Sequence, residues 1–322
     1  MKQLCVTPVF LCLAAASVWL LGACTSETPG TSYEVKAISF STPQTRAAIE
    51  DASKMESFSV WGWYKNTATG GTPVSVFNNT IVTQSSGWNY EGGTRYWIPG
   101  NTYNFYAVHP MGIGSYSPEG VLTVEKFDCS KTGQDAVDLM TAVNEGMKAD
   151  NPQPVAMKFG HELTHVSFTI KAEGAPVSLD AFKLAGVYCQ GTLSKTADNS
   201  SWSKQVTCNS TDNYFKLASS VSIGDGKEFT PLGDLLLIPH TQLTDAKLHI
   251  GYCLGEGHGN DGSSDYEKEI PLQTNSITSW TAGKSYHYIL TIQGNELRIN
   301  IMVNEWKEED TSINWGDNDS QN

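Results

Sequence analysis

The sequence has little positive charge and little charge of any kind. Charged residues make up 17% of the 322 residues, and 21 Lys and Arg stand against 34 Asp and Glu, which gives a formal net charge of −13. No basic tract interrupts this acidic composition. Because nucleic acids and anionic membrane surfaces are bound through clusters of Lys and Arg, the composition argues against both as partners.

Sustained helical periodicity is also missing. Apolar residues instead alternate with polar ones in short runs, as in Tyr103, Phe105 and Ala107, and turn residues follow at intervals of about 8–12 residues. This spacing is typical of β-sandwiches and barrels. With 39% hydrophobic and 10% aromatic residues, the chain has enough apolar side chains to build packed cores. An all-β fold is therefore predicted. Its clearest hairpin has Gly294-Asn295 as the turn; the residues that share one face of each strand are Tyr286, Tyr288, Leu290 and Ile292, then Leu297, Ile299, Ile301 and Val303. A turn is also predicted at Asn78-Asn79, and a strand at 96–98 that ends at the turn Pro99-Gly100-Asn101.

No apolar run is long enough to cross a membrane as a helix. The longest, residues 9–21, is too short and has the features of a secretory signal peptide. It ends in Leu21-Gly22-Ala23-Cys24, which resembles a bacterial lipobox. We therefore expect a lipoprotein signal peptide at residues 1–23 and a lipid on the thiol of Cys24. The alternative is an ordinary secretory signal followed by a chance cysteine.

The cysteines lack metal-ligand spacing. Neither a Cys-x-x-Cys pair nor a Cys/His cluster is present, which makes a structural zinc site improbable. Four cysteines remain besides the signal peptide and Cys24, and they are Cys129, Cys189, Cys208 and Cys253. An exported protein can form disulfides, and four cysteines allow three pairings. The sequence is equally compatible with two disulfides and with four buried thiols.

One motif suggests a metalloprotease. The segment His161-Glu162-Leu163-Thr164-His165 matches the pattern H-E-x-x-H, which binds zinc when both His lie on one face of a helix. Here the residues after it alternate with a period of two, as in a strand. Residues four apart in a strand are separated by roughly 13 Å, far more than one zinc ion can bridge. We predict strand histidines, no metal and no enzymatic activity.

The chain divides into four segments by composition. After the signal peptide comes a polar leader at 24–46, in which Ile38 and Phe40 alternate with serines as in a short strand. The stretch Glu173-Gly174-Ala175-Pro176 breaks the pattern of strands and is the predicted domain boundary. The predicted domains are an N-terminal β-sandwich at 47–174 and a C-terminal one at 175–322.

Motifs along nearly the whole chain resemble the Bacteroidales fimbrillins of type V pili, the Mfa-like group. Each motif is loose alone, but their order together is specific. The matching segments are the lipobox at Cys24, Ile38-x-Phe40, Thr45-Arg46-Ala47, Phe58-x-Val60-x-Gly62, Trp88-x-Tyr90, Tyr96-Trp97-Ile98-Pro99-Gly100-x-x-Tyr103-x-Phe105-x-Ala107, Asp138-Leu139-Met140-Thr141-Ala142, Phe159-x-His161-x-Leu163-x-x-Val166, Leu236-Leu237-Ile238-Pro239 and Trp280-x-x-Gly283-x-x-Tyr286.

The resemblance implies two tandem transthyretin-like β-sandwiches in an outer-membrane lipoprotein at the cell surface. It also implies assembly with other fimbrial subunits by donor-strand exchange. An arginine-specific protease would remove the leader strand with Ile38 and Phe40, and a strand of another subunit would replace it. A host or bacterial surface receptor is a further possible partner. No cofactor and no nucleic acid is expected.

The processing site is predicted at Arg46, with Ala47 as the new N-terminus. The chain has only three arginines, Arg46, Arg95 and Arg298. The latter two are predicted to be held in paired strands, whereas Arg46 follows Pro43 in a polar stretch of the kind that proteases cut. The alternative is a linker arginine in a permanently monomeric protein.

The role within a pilus follows from the C-terminus. Residues 307–322 are acidic and alternate weakly, which makes them a poor donor strand. This argues against a repeating stalk subunit and leaves tip, anchor or accessory roles. The alternative function is a surface glycan-binding lipoprotein that does not polymerise, in which some of the nine Trp and 13 Tyr would stack on sugars.

Overall fold

In a computed structural model of the chain, residues 35–42, 55–208, 215–255 and 264–306 are described, and the all-β prediction is confirmed. The described residues contain one 3-10 helix, Gly133–Asp135, and no helix that is long and apolar enough to cross a membrane. The strands of the first half are β1 (Phe40–Ser41), β2 (Ser57–Asn66), β3 (Gly70–Gln84), β4 (Trp88–Tyr90), β5 (Asn101–His109), β6 (Ser115–Tyr116), β7 (Leu122–Asp128), β8 (Met140–Lys148), β9 (Val155–Ala156), β10 (Gly160–His161) and β11 (Thr164–Ala172). Those of the second half are β12 (Val177–Ala185), β13 (Val187–Lys195), β14 (Ser200–Cys208), β15 (Val221–Ile223), β16 (Glu228–Phe229), β17 (Leu235–Leu237), β18 (Lys247–Leu254), β19 (Tyr266–Pro271), β20 (Lys284–Gln293) and β21 (Glu296–Glu305).

The strands form four sheets and one isolated pair. A six-stranded sheet has the order β10-β8-β5-β2-β3-β4, and β1 pairs with β9 beside it. A four-stranded sheet of order β14-β13-β7-β6, here called the joint sheet, combines strands from both halves of the chain. The five-stranded sheet consists of β11 with β16 and β17 on one side and β20-β21 on the other, and the last sheet has the order β15-β12-β18-β19.

The central strands of the six-stranded sheet, β2 and β5, are buried on both faces. In β2, Phe58 and Val60 face one hydrophobic cluster, whereas Trp61 and Trp63 face another. The first cluster includes β1, and the second includes the side chains of the joint sheet. At Gly62 a Cβ atom would lie 3.0 Å from the Phe105 ring, so a larger residue would displace it. The strand therefore reads as a continuous apolar run, because neither face meets solvent.

The C-terminal core lies between the five-stranded sheet and the sheet β15-β12-β18-β19. Phe168 of β11 meets Phe182 of β12 with their ring centroids 5.4 Å apart, and both side chains are fully buried. The strand β11 pairs with β20 in parallel over eight residues, from His165 opposite Ser285 to Ala172 opposite Ile292. This packing of two sheets confirms the predicted sandwich.

The last hairpin is the clearest sequence prediction and is confirmed as β20 and β21. The inward side chains of β20 are all buried, but the matching face of β21 is not. Ile299 and Val303 are 39% and 41% exposed, although they share a face with the half-buried Leu297 and Ile301. In the described part of the chain β21 pairs only with β20, so it is an edge strand whose face extends beyond the opposite sheet.

The joint sheet crosses the predicted boundary at 174/175. Its strand β13 pairs with β7 from the first half and with β14 from the second. Residues on both sides of the boundary therefore share one sheet, and the division into domains 47–174 and 175–322 stays a prediction.

Two local sequence predictions differ from the structure. Asn78 and Asn79 were expected to form a turn, but they lie inside β3, where Asn79 has φ of 48° and the pairing with β2 shifts register between Val60 and Gly62. This is a β-bulge, which uses the tolerance of asparagine for positive φ without reversing the chain. The run Tyr96–Ile98 is not a strand; within it only Tyr96 makes a bridge, to Ala37.

A buried histidine couples the fold of the C-terminal half to pH. His240 is 3% exposed, stacks on Tyr188 at 4.1 Å between ring centroids, and accepts the Tyr188 backbone N–H at Nε2 with a distance of 3.1 Å. Burial lowers its pKa from 6.5 to about 4, although a hydrogen bond with the Gln242 backbone acts in the opposite direction. Protonation would also remove the acceptor for Tyr188.

We therefore predict that His240 destabilises the protein in acid. Its pKa is lower in the folded than in the unfolded chain, so its contribution to the free energy of unfolding is complete above pH 6.5 and falls by up to about 3 kcal/mol as the pH drops towards 4. Urea denaturation at a series of pH values should give a flatter profile for His240→Gln, while the control His249→Gln keeps the profile of the unmodified protein. Identical profiles for all three proteins would disprove the assignment.

Candidate functional site

The leader segment is a paired strand with hydrogen bonds on both edges. On one side β1 runs parallel to β9, and the Val155 and Met157 N–H groups donate to the carbonyls of Ser39 and Ser41 at 2.7 and 2.8 Å. Three further bonds fix its other edge: Ile38 N donates to Arg95 O at 2.8 Å, Trp97 N to Lys36 O at 3.0 Å, and Tyr90 Oη to Ile38 O at 2.9 Å. The segment therefore lies between two neighbours as an inner strand does.

The leader also supplies part of the hydrophobic core. Ile38 and Phe40 are 2% and 6% exposed, as the alternation in the sequence predicts. The Phe40 ring lies within 5.3–6.1 Å of four other aromatic rings, which belong to Phe58, Phe77, Tyr90 and Phe105. Edge-to-face contacts of this kind stabilise beyond the burial of area alone. The leader is thus a structural part of the described fold.

Removal of the leader would leave an apolar groove with unsatisfied backbone groups. The groove floor is the aromatic face of the six-stranded sheet, and its rims are β9 and the segment from Arg95 to Trp97. The N–H groups of Val155, Met157 and Trp97 would lose their acceptors. Exposed apolar surface and unpaired strand edges both favour the addition of a replacement strand.

The predicted site residues are only partly within the described structure. Cys24, Arg46 and Ala47 lie outside the described residues, whereas Ile38 and Phe40 are within them. Arg46 follows Thr42, the last described residue of the leader, by four positions.

Of the other two arginines, Arg298 is placed as expected and Arg95 is not. Arg95 was expected in a paired strand but lies between β4 and β5; its guanidinium packs 4.6 Å from the Phe77 ring centroid and donates to the Glu91 and Gly93 carbonyls. Arg298 lies in a paired strand as predicted; this is the edge strand β21, and the Arg298 side chain is 64% exposed. Backbone pairing with Ile38 ties Arg95 to the leader itself, which the sequence did not indicate.

The H-E-x-x-H segment is not helical. His161 ends β10, Glu162 and Leu163 form a bend, and His165 belongs to β11, which agrees with the prediction of strand histidines. The bend brings both imidazoles onto the indole of Trp306, at 3.7 and 5.6 Å between centroids, so the segment is not the unbroken strand on which the 13 Å estimate rested. Trp306 is the last described residue and is buried.

The histidine nitrogens already have partners. His161 Nδ1 lies 2.6 Å from Asp138 Oδ2. His165 Nδ1 lies 2.7 Å from Ser285 Oγ, and its Nε2 lies 2.9 Å from Asp234 Oδ1. Both nitrogens of His165 are thus used in hydrogen bonds within the protein, and the described residues contain no group of three or more His, Cys, Asp or Glu arranged to hold a metal.

Glu162 links three strands instead of activating water. Its carboxylate, which is 4% exposed, accepts hydrogen bonds from Thr141 Oγ1 at 2.6 Å and Ser200 Oγ at 2.9 Å and pairs with Lys195 Nζ at 2.9 Å. Thr141 belongs to β8 of the six-stranded sheet, and the other two partners belong to the joint sheet. The carboxylate therefore ties the two sheets together.

The sequence was compatible with disulfides and with buried thiols, and the structure contains both. Cys189 and Cys208 form a disulfide between β13 and β14. Cys129 and Cys253 keep buried thiols, and burial raises the pKa of the Cys129 thiol to about 12. Cys253 Sγ donates to Asp180 Oδ2 at 3.3 Å. A thiol with so high a pKa is unreactive at neutral pH, so the chemistry at Cys129 is structural.

Most described tryptophans are core residues. Trp61, Trp63, Trp97, Trp280 and Trp306 are 8% exposed or less, and Trp88 and Trp202 are half-buried. The described residues therefore present no fully exposed indole on which a sugar could stack, and packing accounts for these tryptophans, whereas Tyr96 is 48% exposed. The glycan-binding alternative gains no support from them.

Comparison with known proteins identifies a family. A family model described as fimbrillin-like matches residues 45–306. Among solved structures, a fimbrial protein from Bacteroides vulgatus is 19% identical, with a TM-score of 0.57 over 84% of this chain and 99% of that one. A putative cell adhesion protein from Bacteroides uniformis is 18% identical, with a TM-score of 0.52 over 85% and 99%. No curated protein sequence matches the chain.

We predict that Phe40→Ala destabilises the uncleaved protein by about 3–5 kcal/mol, because it empties a site among four rings. Chemical denaturation measures the change, and Ser39→Ala, at an exposed position of the same strand, serves as the control. Equal stabilities of the two variants would mean that the leader does not contribute to the core.

We further predict that Glu162→Gln lowers the free energy of unfolding by about 2–3 kcal/mol, because it leaves the Lys195 ammonium, 20% exposed, without its counter-charge. The matched control is Glu269→Gln in the exposed pair with Lys247, which should cost less than about 0.5 kcal/mol. A zinc-protease base would give the opposite pattern, with unchanged stability and lost proteolytic activity.

Proposed function

Because this chain belongs to the fimbrillin-like family, we propose that it is a fimbrial or adhesion subunit that is assembled by protease-triggered donor-strand exchange. It acts as a structural component of a cell-surface appendage and not as an enzyme. The finer steps of the proposal are removal of the leader after Arg46 and replacement of that leader by a strand of another subunit.

The observation that carries the proposal is the state of the leader strand. It is hydrogen-bonded along both edges, and Phe40 occupies the centre of an aromatic pocket, yet the strand precedes all other described strands in the chain. After a cut at Arg46, a core strand in this position can leave while every other described strand stays on one continuous chain. Its departure would expose the pocket and three N–H donors, which gives the remaining fold a strong tendency to bind another strand.

The chemistry of the groove defines the replacement. A donor strand needs an apolar side chain at the Phe40 position and another two residues earlier, because alternate residues of a strand face the same side. It must also offer carbonyls to Val155 and Met157 on one edge and to Trp97 on the other. This is a requirement for shape and alternation, with little dependence on charge, so strands from several subunits could satisfy it.

The position in the pilus is proposed to be a tip, anchor or accessory one. The acidic C-terminal segment 307–322 lacks a clear alternation of apolar residues, so it would fill the groove of a neighbour poorly. A lipid on Cys24 would hold the uncleaved chain at the outer membrane before processing. Binding to a receptor on a host or bacterial surface is the corresponding adhesive function.

The proposal predicts selective cleavage by an arginine-specific protease. Limited digestion of the chain that follows the signal peptide should cut first after Arg46, giving a product that begins at Ala47. Arg95 should resist because its backbone and guanidinium are both bonded. N-terminal sequencing identifies the cut, and size analysis shows whether the cleaved protein takes up an added synthetic strand or assembles.

Two variants test whether Arg46 is the processing site. Arg46→Gln should abolish both cleavage and assembly, whereas Arg298→Gln, which changes an exposed arginine elsewhere, should alter neither. First cleavage at Arg95 or Arg298 would contradict the assignment of the processing site. A cut product that retains its leader and takes up no other strand would contradict strand exchange.

A further inference from the structure

An exposed apolar surface lies on the outer side of the leader. Ala37 and Tyr96 form an antiparallel bridge, and the bonds on either side of it, from Ile38 to Arg95 and from Trp97 to Lys36, make this a non-hydrogen-bonded pair with closely spaced side chains. Counting two residues outward from this bridge in the antiparallel sense places Val35 opposite Ile98. We call these four side chains, Val35, Ala37, Tyr96 and Ile98, the apolar ladder.

The apolar ladder is uncovered. Val35, Tyr96 and Ile98 are 61%, 48% and 45% exposed, and Ala37 is exposed as well. Ten large apolar side chains are exposed in the described residues, and three of them belong to this ladder. Single exposed apolar residues are ordinary on protein surfaces, but neighbouring ones on two paired segments form a continuous patch. Patches of this kind commonly mark contacts with proteins or membranes.

The position of the ladder along the chain favours a membrane. Val35 is the first described residue, and Cys24 lies eleven residues before it. Eleven residues reach at most about 40 Å when fully extended. An anchored chain thus keeps the ladder within a short distance of the lipid surface. Because the anchor gives the ladder a high effective concentration at that surface, even a weak contact between them is populated.

The composition of the ladder suits an uncharged lipid interface. Tyr96 combines an apolar ring with a hydroxyl, which is the character of the aromatic residues found at the level of lipid headgroups. Val35 and Ile98 are aliphatic, and none of the four side chains carries a charge. The exposed Lys36 between Val35 and Ala37 can extend its ammonium towards phosphate groups.

We propose that the apolar ladder rests against the lipid surface while the chain is anchored through Cys24. This inference depends on the lipid anchor in the proposed function. Cleavage after Arg46 would remove Val35, Ala37 and the anchor together, so the contact would exist only in the uncleaved protein. The leader would then hold the end of the fold that contains Tyr96 and Ile98 against the membrane until processing.

The test uses the lipidated chain from Cys24 onward, not cleaved at Arg46, in phosphatidylcholine vesicles. Ile98→Cys is labelled with a small fluorophore, and the matched control is Val206→Cys, whose native side chain is 49% exposed on the joint sheet. Lipids with a quencher on the acyl chain should reduce the fluorescence at position 98 by about twofold more than at position 206. Adding Val35→Ser and Tyr96→Ser to the labelled protein should remove this difference while fatty-acid labelling at Cys24 continues.

Each contrary result has a separate meaning. Equal quenching at the two positions in a protein that does carry the fatty acid would overturn the ladder contact and leave the anchor intact. Absence of fatty acid from the unmodified chain, as expected for Cys24→Ser, would overturn the anchor and the ladder contact together. If the loss of fluorescence at position 98 depends on the amount of protein per vesicle and not on the quencher lipid, the position contacts a second copy of the protein. This result would also overturn the proposal.

Discussion

The central constraint on this molecule is that β2 and β5, in the middle of its six-stranded sheet, are buried on both faces. One face is covered by the joint sheet, which the chain builds from four strands. The other face is covered in part by the short pair β1 and β9, and the side chain at its centre is Phe40. Both faces need a layer packed against them, and the leader contributes part of one layer. The fold is therefore complete only while the leader or a substitute strand is present. Family membership and the geometry of the leader point to the same proposal for this reason.

Connections between the sheets are polar as well as apolar. Glu162 joins β8 to the hairpin β13–β14, and the disulfide Cys189–Cys208 ties the two strands of that hairpin. The indole of Trp306, at the end of the last strand, packs on His161 and His165, so the histidine segment lies against the C-terminus of the described fold. The residues that imitate a zinc motif thus act as connecting elements. The alternation after the motif predicted strand histidines, but neither the bend at Glu162 and Leu163 nor the contact with Trp306.

Much of the secondary structure was predictable from the sequence, because apolar and polar residues alternate along a strand that is buried on one face only. The pairing β20–β21 and the leader residues Ile38 and Phe40 follow from it. A strand that is buried on both faces, such as β2, does not show this alternation. Alternation also does not predict exposure where an edge strand extends beyond the opposite sheet, as at Ile299 and Val303. Long-range contacts such as Ile38 with Arg95 also leave no local signal. The bulge at Asn79 was mistaken for a turn because asparagine suits both.

The parallel pairing of β11 with β20 has a consequence for how the chain folds. These neighbours are about 120 residues apart in sequence, and seven strands of the second half lie between β12 and β20 in chain order. Topologies dominated by such distant contacts fold slowly, because the entropy of closing a long loop is lost before any contact compensates it. Strand β11 cannot acquire its central partner until nearly the whole polypeptide is available. The export that we propose for this chain would benefit from this delay, because the C-terminal sandwich cannot close before the last hairpin is available.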